Sequence, residues 1–165
     1  MTDPRYRFEV RDHAADKAAT AYGRTLDELF EAAAHAMFDI AVDLSTVHAA
    51  ETRDITLEEQ YGEDLLRQWL DELLFLFDTE KIVFSEFSAQ VECPQSPERT
   101  CRRVGEFAEP EGKLWRLRAA ARGQRYSDAM ERRGAVVKAV TYHNFALRPP
   151  DTPGGDWVAE MVFDV

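Results

Sequence analysis

Asp12-His13-Ala14-Ala15-Asp16 sets two carboxylates and an imidazole within five residues, between Tyr6-Arg7-Phe8-Glu9-Val10 and residues 18–22. Both flanks are short and carry aromatic or small apolar side chains, so they read as strands, and the stretch between them reads as a tight connection rather than a helix. The polar cluster then falls at a sheet end. A rigid scaffold there can aim carboxylates at one point, to hold a metal or to handle a proton. A solvated Asx-type turn, in which Asp12 and Asp16 only accept backbone N–H bonds, accounts for the same residues more simply.

Working outward, the chain of 165 residues is one domain long, 1–165, and long enough to bury a core without staples. It has no apolar run of membrane-spanning length, and Met1-Thr2-Asp3-Pro4-Arg5 lacks the apolar core of a secretory signal, so the expected location is cytoplasmic with no membrane partner. Cys93 and Cys101 cannot complete a four-ligand zinc site alone and read as reduced surface cysteines. The net charge of -11 argues against a protein that grips nucleic acid by itself. That charge is uneven: residues 1–80 hold seven Lys or Arg against nineteen Asp or Glu, whereas residues 81–165 hold thirteen against twelve. An acidic face of this kind solubilises, docks a basic partner or collects divalent cations.

Thr25-Leu26-Asp27-Glu28 is a capping box that opens a helix over residues 25–42. Leu26, Leu29, Phe30, Ala33, Met37 and Ile40 form its packing face, with Asp27, Glu31 and His35 facing outward. Residues 51–57 predict a strand, 64–77 a second helix with Leu66, Trp69, Leu70, Leu73, Leu74 and Phe77 as its stripe, and 82–92 a further strand. Residues 94–112 hold three prolines and two glycines and read as an extended, protruding loop, whose Arg99, Arg102 and Arg103 are read as solvated. Residues 114–122 alternate apolar with Arg116, Arg118 and Arg122, predicting a half-buried strand. The run 135–143 is β-rich with Lys138 amid apolar neighbours, 145–147 continues as strand, and Trp157, Ala159, Met161 and Phe163 alternate along the closing one. The chain ends on Asp164-Val165, which sets a side-chain carboxylate beside an α-carboxylate. Together with the opening turn these oxygens would suit a hard cation, but spacing alone does not connect the two ends of the sequence. No phosphate-binding glycine loop, nucleophile elbow or His-rich zinc pattern is present.

The blocks Asp12-His13-Ala14-Ala15-Asp16, Tyr22-Gly23-Arg24-Thr25-Leu26-Asp27-Glu28-Leu29-Phe30, Ala36-Met37-Phe38-Asp39, Leu73-Leu74-Phe75-Leu76-Phe77-Asp78, Val137-Lys138-Ala139-Val140-Thr141-Tyr142-His143 and Phe163-Asp164-Val165 occur in order. In this combination the chain resembles archease over residues 6–165, with Ala14 where the family usually has threonine. The resemblance implies an α+β, two-layer sandwich of mostly antiparallel sheet with two main helices, built on a strand-helix-strand-strand module with an inserted helix. It implies a non-enzymatic activator of an RtcB-type RNA ligase in tRNA splicing and RNA repair. Such a ligase joins 2',3'-cyclic or 3'-phosphate ends to 5'-hydroxyl ends after guanylylation of its own histidine with GTP and Mn²⁺, and the activator promotes that step and multiple turnover. RNA is then met only through the ligase. Carried over residue by residue, Asp16, Lys138 and Asp164 are the functional positions, and Asp16, Asp164 and Val165 would bind a divalent cation, Ca²⁺ first with Mg²⁺ and Mn²⁺ as alternatives. Asp12 and His13 stand as supporting residues. Rival readings are a metal-dependent hydrolase or nucleotidyl transferase using Asp12, Asp16 and Asp164, and a general chaperone or modulator.

Overall fold

The connection after His13 needs only two residues. In a computed structural model, which describes residues 5–94, 97, 101 and 114–165, strand β1 (Arg7–His13) and strand β2 (Asp16–Gly23) pair antiparallel from Arg7 opposite Tyr22 to His13 opposite Asp16. Asp12 and His13 are therefore strand residues, and Ala14-Ala15 alone make the turn.

Helix α1 (Leu26–Asp39) follows, shorter than expected at its C-terminus. The capping box forms: Glu28 N–H donates to Thr25 Oγ1 (3.2 Å), and Glu28 Oε2 reaches back to accept from Arg24 N–H (2.9 Å). Ala32, Ala33, Ala34 and Ala36 are all buried, so α1 is enclosed on most sides, and these small side chains let neighbouring backbone come close. The chain continues through a 3-10 turn at Leu44–Thr46 into strand β3 (Glu51–Glu59), helix α2 (Gly62–Glu80), strand β4 (Ile82–Glu92) and strand β5 (Trp115–Arg125). The short strands β6 (Ala139–Val140) and β7 (Ala146–Arg148) lead to β8 (Trp157–Asp164). The fold is α+β with antiparallel pairing throughout, and its strands divide into two sheets: a five-stranded one in the order β1-β2-β8-β6, with β7 also on β8, and a three-stranded one in the order β3-β5-β4. Helix α1 packs against β2 of the first and β4 of the second. Trp69 joins the helices, its indole N–H donating to the Phe30 carbonyl at 3.0 Å.

The polar face of α1 does not look outward. Strand β4 is an edge, and its N–H groups at Phe87, Ala89 and Val91, which point away from β5, donate to Tyr6 Oη (3.2 Å), Glu31 Oε2 (3.4 Å) and Asp27 Oδ1 (2.7 Å). His35 is 3 % exposed and stacks on Tyr6 with ring centroids 4.4 Å apart. Sequence periodicity marks these three α1 residues as polar, but a sheet edge needs acceptors as much as water does.

Three further expectations are revised. Of the run 135–143 only Ala139–Val140 pairs as strand, and Lys138, between Val137 and Ala139, has its side chain exposed. Cys101 is buried, 1 % exposed, and its carbonyl accepts from Glu63 N–H at the start of α2 (2.8 Å), so this cysteine is not a surface residue. Helix α2 runs a turn beyond its apolar stripe, ending at Lys81 in left-handed conformation. Apart from Pro94, Pro97 and Cys101, the loop 94–112, with Arg99, Arg102 and Arg103, lies outside the described residues.

Burial of Glu31 pushes its carboxyl up from the ordinary glutamate range to about 7, against the Ala89 N–H, which favours the charged form. The folded protein therefore holds a proton there more tightly than the unfolded chain, and stability is lost as pH rises from about 4.5 to about 7. Glu31→Gln keeps an acceptor oxygen without the charge. Discounted for the partial exposure of the group, it should gain about 1 kcal/mol over wild type at pH 8 and little at pH 4, measured by urea unfolding at both pH values; an equal effect at the two would refute the assignment.

Candidate functional site

The register of the larger sheet settles which of the singled-out residues can meet. Lys17 lies opposite Phe163 on β8, so the next step of the same antiparallel ladder sets Asp16 against Asp164. On the far side of β8, Ala139 is opposite Asp164, and Lys138 N–H donates to the Asp164 carbonyl at 2.7 Å. His13 pairs with Asp16. Directly opposed residues share a face, so His13, Asp16, Asp164 and Ala139 form one row across four strands at one end of the sheet.

The pleat puts Asp12 on the other face. Its row is Asp12, Lys17, Phe163 and Val140; Phe163 is fully buried, while Asp12, with 82 % of its side chain exposed, forms an ion pair with Lys17. Asp12 thus has a cation of its own and does not converge with Asp16. Asp164 and Lys138 are exposed, Asp16 and Val165 partly so, and among the described residues the Lys138 side chain forms no ion pair. The Lys138 backbone is thus tied to β8 beside Asp164, while its exposed ammonium forms no ion pair among the described residues.

The position is held by core packing. Ala159, Met161 and Phe163 on the inner face of β8 are buried, which fixes the register that sends Asp164 outward. Thr141 reinforces the edge, its N–H and hydroxyl both donating to the Val162 carbonyl at 2.9 and 3.0 Å. Beyond it the sequence reading gave no role to His143, whose ring lies 5.9 Å from that of His13, or to Arg67 of α2, whose guanidinium sits 3.4 Å over the Tyr142 ring. No sequence spacing signals either contact, because each joins segments remote in the chain.

For a divalent cation the donor class fits, since Asp16, Asp164 and Val165 offer hard oxygens. The number falls short: among the described residues no three His, Cys, Asp or Glu side chains converge on one point. These groups would supply part of a coordination shell and leave the rest to water or to a partner. Among the described residues no helix is long and apolar enough to cross a membrane.

Ala14, at the apex of the turn, has φ 52, a left-handed conformation that glycine adopts without steric cost. Ala14→Gly should be neutral to stabilising by about 0.5 kcal/mol, the relieved strain slightly exceeding the added unfolded-chain entropy. A thermal melt showing a loss above about 1 kcal/mol would mean that the methyl group packs.

Residues 8–165 match the model of the Archease protein family (MTH1598/TM1083). The chain is 35 % identical to Protein archease of Methanosarcina mazei over 159 residues, 96 % of each chain. It is 38 % identical to Protein archease of Methanothermobacter thermautotrophicus over 144 residues, 87 % of this chain and 90 % of the relative. The solution structure of Methanobacterium thermoautotrophicum protein 1598 superposes with a TM-score of 0.74 at 36 % identity, covering 96 % of this chain and 98 % of the other.

Proposed function

This chain belongs to the archease family, and on that premise we propose that it activates an RtcB-type RNA ligase by presenting the Asp16, Lys138 and Asp164 sheet end to the ligase's nucleotide centre. The observation that carries this reading is the meeting of those positions, from β2, β8 and the segment entering β6, at one solvent-exposed sheet end. Lys138 is a point charge on a flexible stem, able to offset triphosphate charge while the ligase histidine is guanylylated. Asp16 and Asp164 orient that cation and, with the Val165 carboxylate, hold a divalent ion of the Ca²⁺, Mg²⁺ or Mn²⁺ class. A bound cation would supply positive charge for a phosphate, while the GTP and Mn²⁺ of the reaction belong to the ligase. In this reading the protein forms no covalent bond itself, and its RNA contacts run through its partner in the cytoplasm.

A hydrolase or nucleotidyl transferase built on Asp12, Asp16 and Asp164 is the weaker reading, because its first carboxylate faces away from the other two and is paired with Lys17. Turnover of GTP by the isolated protein with Mn²⁺ would favour it.

Two expected outcomes test the proposal. Lys138→Met keeps most of the stem and deletes the charge; stability should stay within about 1 kcal/mol of wild type while stimulation of 3'-phosphate RNA ligation by a purified RtcB-type ligase is lost. Stimulation equal to wild type in a folded Lys138→Met sample would make the lysine structural. Separately, Ca²⁺ should raise the melting temperature of wild type by mass action and leave Asp164→Ala unmoved. Identical shifts in the two proteins would remove the cation from the proposal.

A further inference from the structure

Beside the C-terminal parts of α1 and α2 the structure leaves an open, apolar cavity of about 440 Å³, walled by Met37, Phe38, Leu74, Phe77, Val83 and Val137. None of these belongs to the Asp16 and Asp164 row. A void of this size is within the range of small-molecule sites, about 300 to 1,000 Å³. Two cations border it, Lys81 and Arg132.

Lys81 is the informative one. It makes no ion pair among the described residues, although the chain carries a net charge of -11. It also occupies the left-handed position that caps α2, at φ 59, where glycine is the favoured residue. Its backbone is fully used, the N–H donating to Phe77 O (2.9 Å) and the carbonyl accepting from Tyr126 N–H (2.7 Å). The cap therefore needs only backbone atoms, which leaves the exposed Lys81 side chain, without an ion pair among the described residues, as part of the cavity lining. Arg132 lines the same space, its guanidinium 5.0 Å over the Tyr126 ring and, among the described residues, bridged only to a fully exposed Asp128 at 3.8 Å. Val136, 56 % exposed, adds an apolar lip.

We propose that this cavity binds a small amphiphilic anion, with an aliphatic or aromatic body against the apolar wall and a carboxylate or phosphate head between Lys81 and Arg132. Charge decides the class. A cationic amphiphile of the same length would set its head beside two like charges, and a neutral one would leave Lys81 unpaired. Val137 of the wall precedes Lys138 in the chain, whose N–H donates to the Asp164 carbonyl. The inference stands independently of the ligase reading, because its test measures binding alone.

Sub-micellar decanoate, decyl phosphate and decyltrimethylammonium are titrated into the full-length protein, with calorimetry for affinity and amide shifts for location. Decanoate and decyl phosphate should each saturate and move the amides of Ala41, Lys81, Val136 and Val137, whereas decyltrimethylammonium should not saturate. Binding by only one of the two anions fixes the head group and upholds the proposal. Lys81→Gly should fold at least as well as wild type, because it relieves the left-handed strain, and should weaken anion binding about fivefold. Ala41→Phe, which projects into the cavity, should abolish it; if that variant does not fold, Lys81→Gly decides. Equal binding of the cationic and anionic probes, unchanged affinity in Lys81→Gly, absence of saturation, or shifts confined to other residues would each overturn the assignment.

Discussion

The three side chains that seal the edge of β4 set the arrangement of the whole molecule. Tyr6, Glu31 and Asp27 take up alternate N–H groups along that strand, so the three-stranded sheet cannot extend on that side and the strands divide into two sheets with α1 in the gap. An open run of such donors is a template for pairing with another chain. Here it is closed by acceptors carried on a helix and on the residue leading into β1. The arrangement costs stability through burial of the Glu31 carboxylate, whose affinity for a proton rises accordingly. It also accounts for the stacking of Tyr6 on His35 of α1, since Tyr6 must be held where its hydroxyl can accept from Phe87 N–H.

Where one physical requirement acted on a segment, the sequence was readable. The cap at Thr25 and the stripe of α2 each answer to a single demand, a satisfied helix end or one buried face. The polar face of α1 answers to two demands that look alike, because water and a strand edge both call for polar side chains, and periodicity cannot separate them. The run 135–143 has the residues of a strand but a pairing partner for only two of them, so β propensity outran the available ladder. The burial of Cys101 has no signal in its Pro-rich, polar sequence surroundings, which say nothing about the core it enters.

The positions proposed to be functional pose a different problem. Asp16 and Asp164 stand at opposite ends of the chain, and no local pattern joins them. Their proximity followed only from resemblance, and the β2–β8 register then supplied its geometry. Parity along the strand did what composition could not, separating Asp12 from Asp16 although both belong to the same polar cluster. A pair of aspartates four residues apart reads as one site in sequence. In a hairpin with a two-residue turn, they face opposite sides.

Asp164 follows Phe163 on a strand whose register is fixed by what Phe163 and Met161 bury. A slip of one residue would exchange the two faces, driving a carboxylate into the core and a phenyl ring into water. Intermediate placements do not exist. A core substitution that weakens this sheet therefore lowers the fraction of chains in which the β2–β8 ladder is closed and leaves the placement of Asp164 unchanged in those that keep it closed.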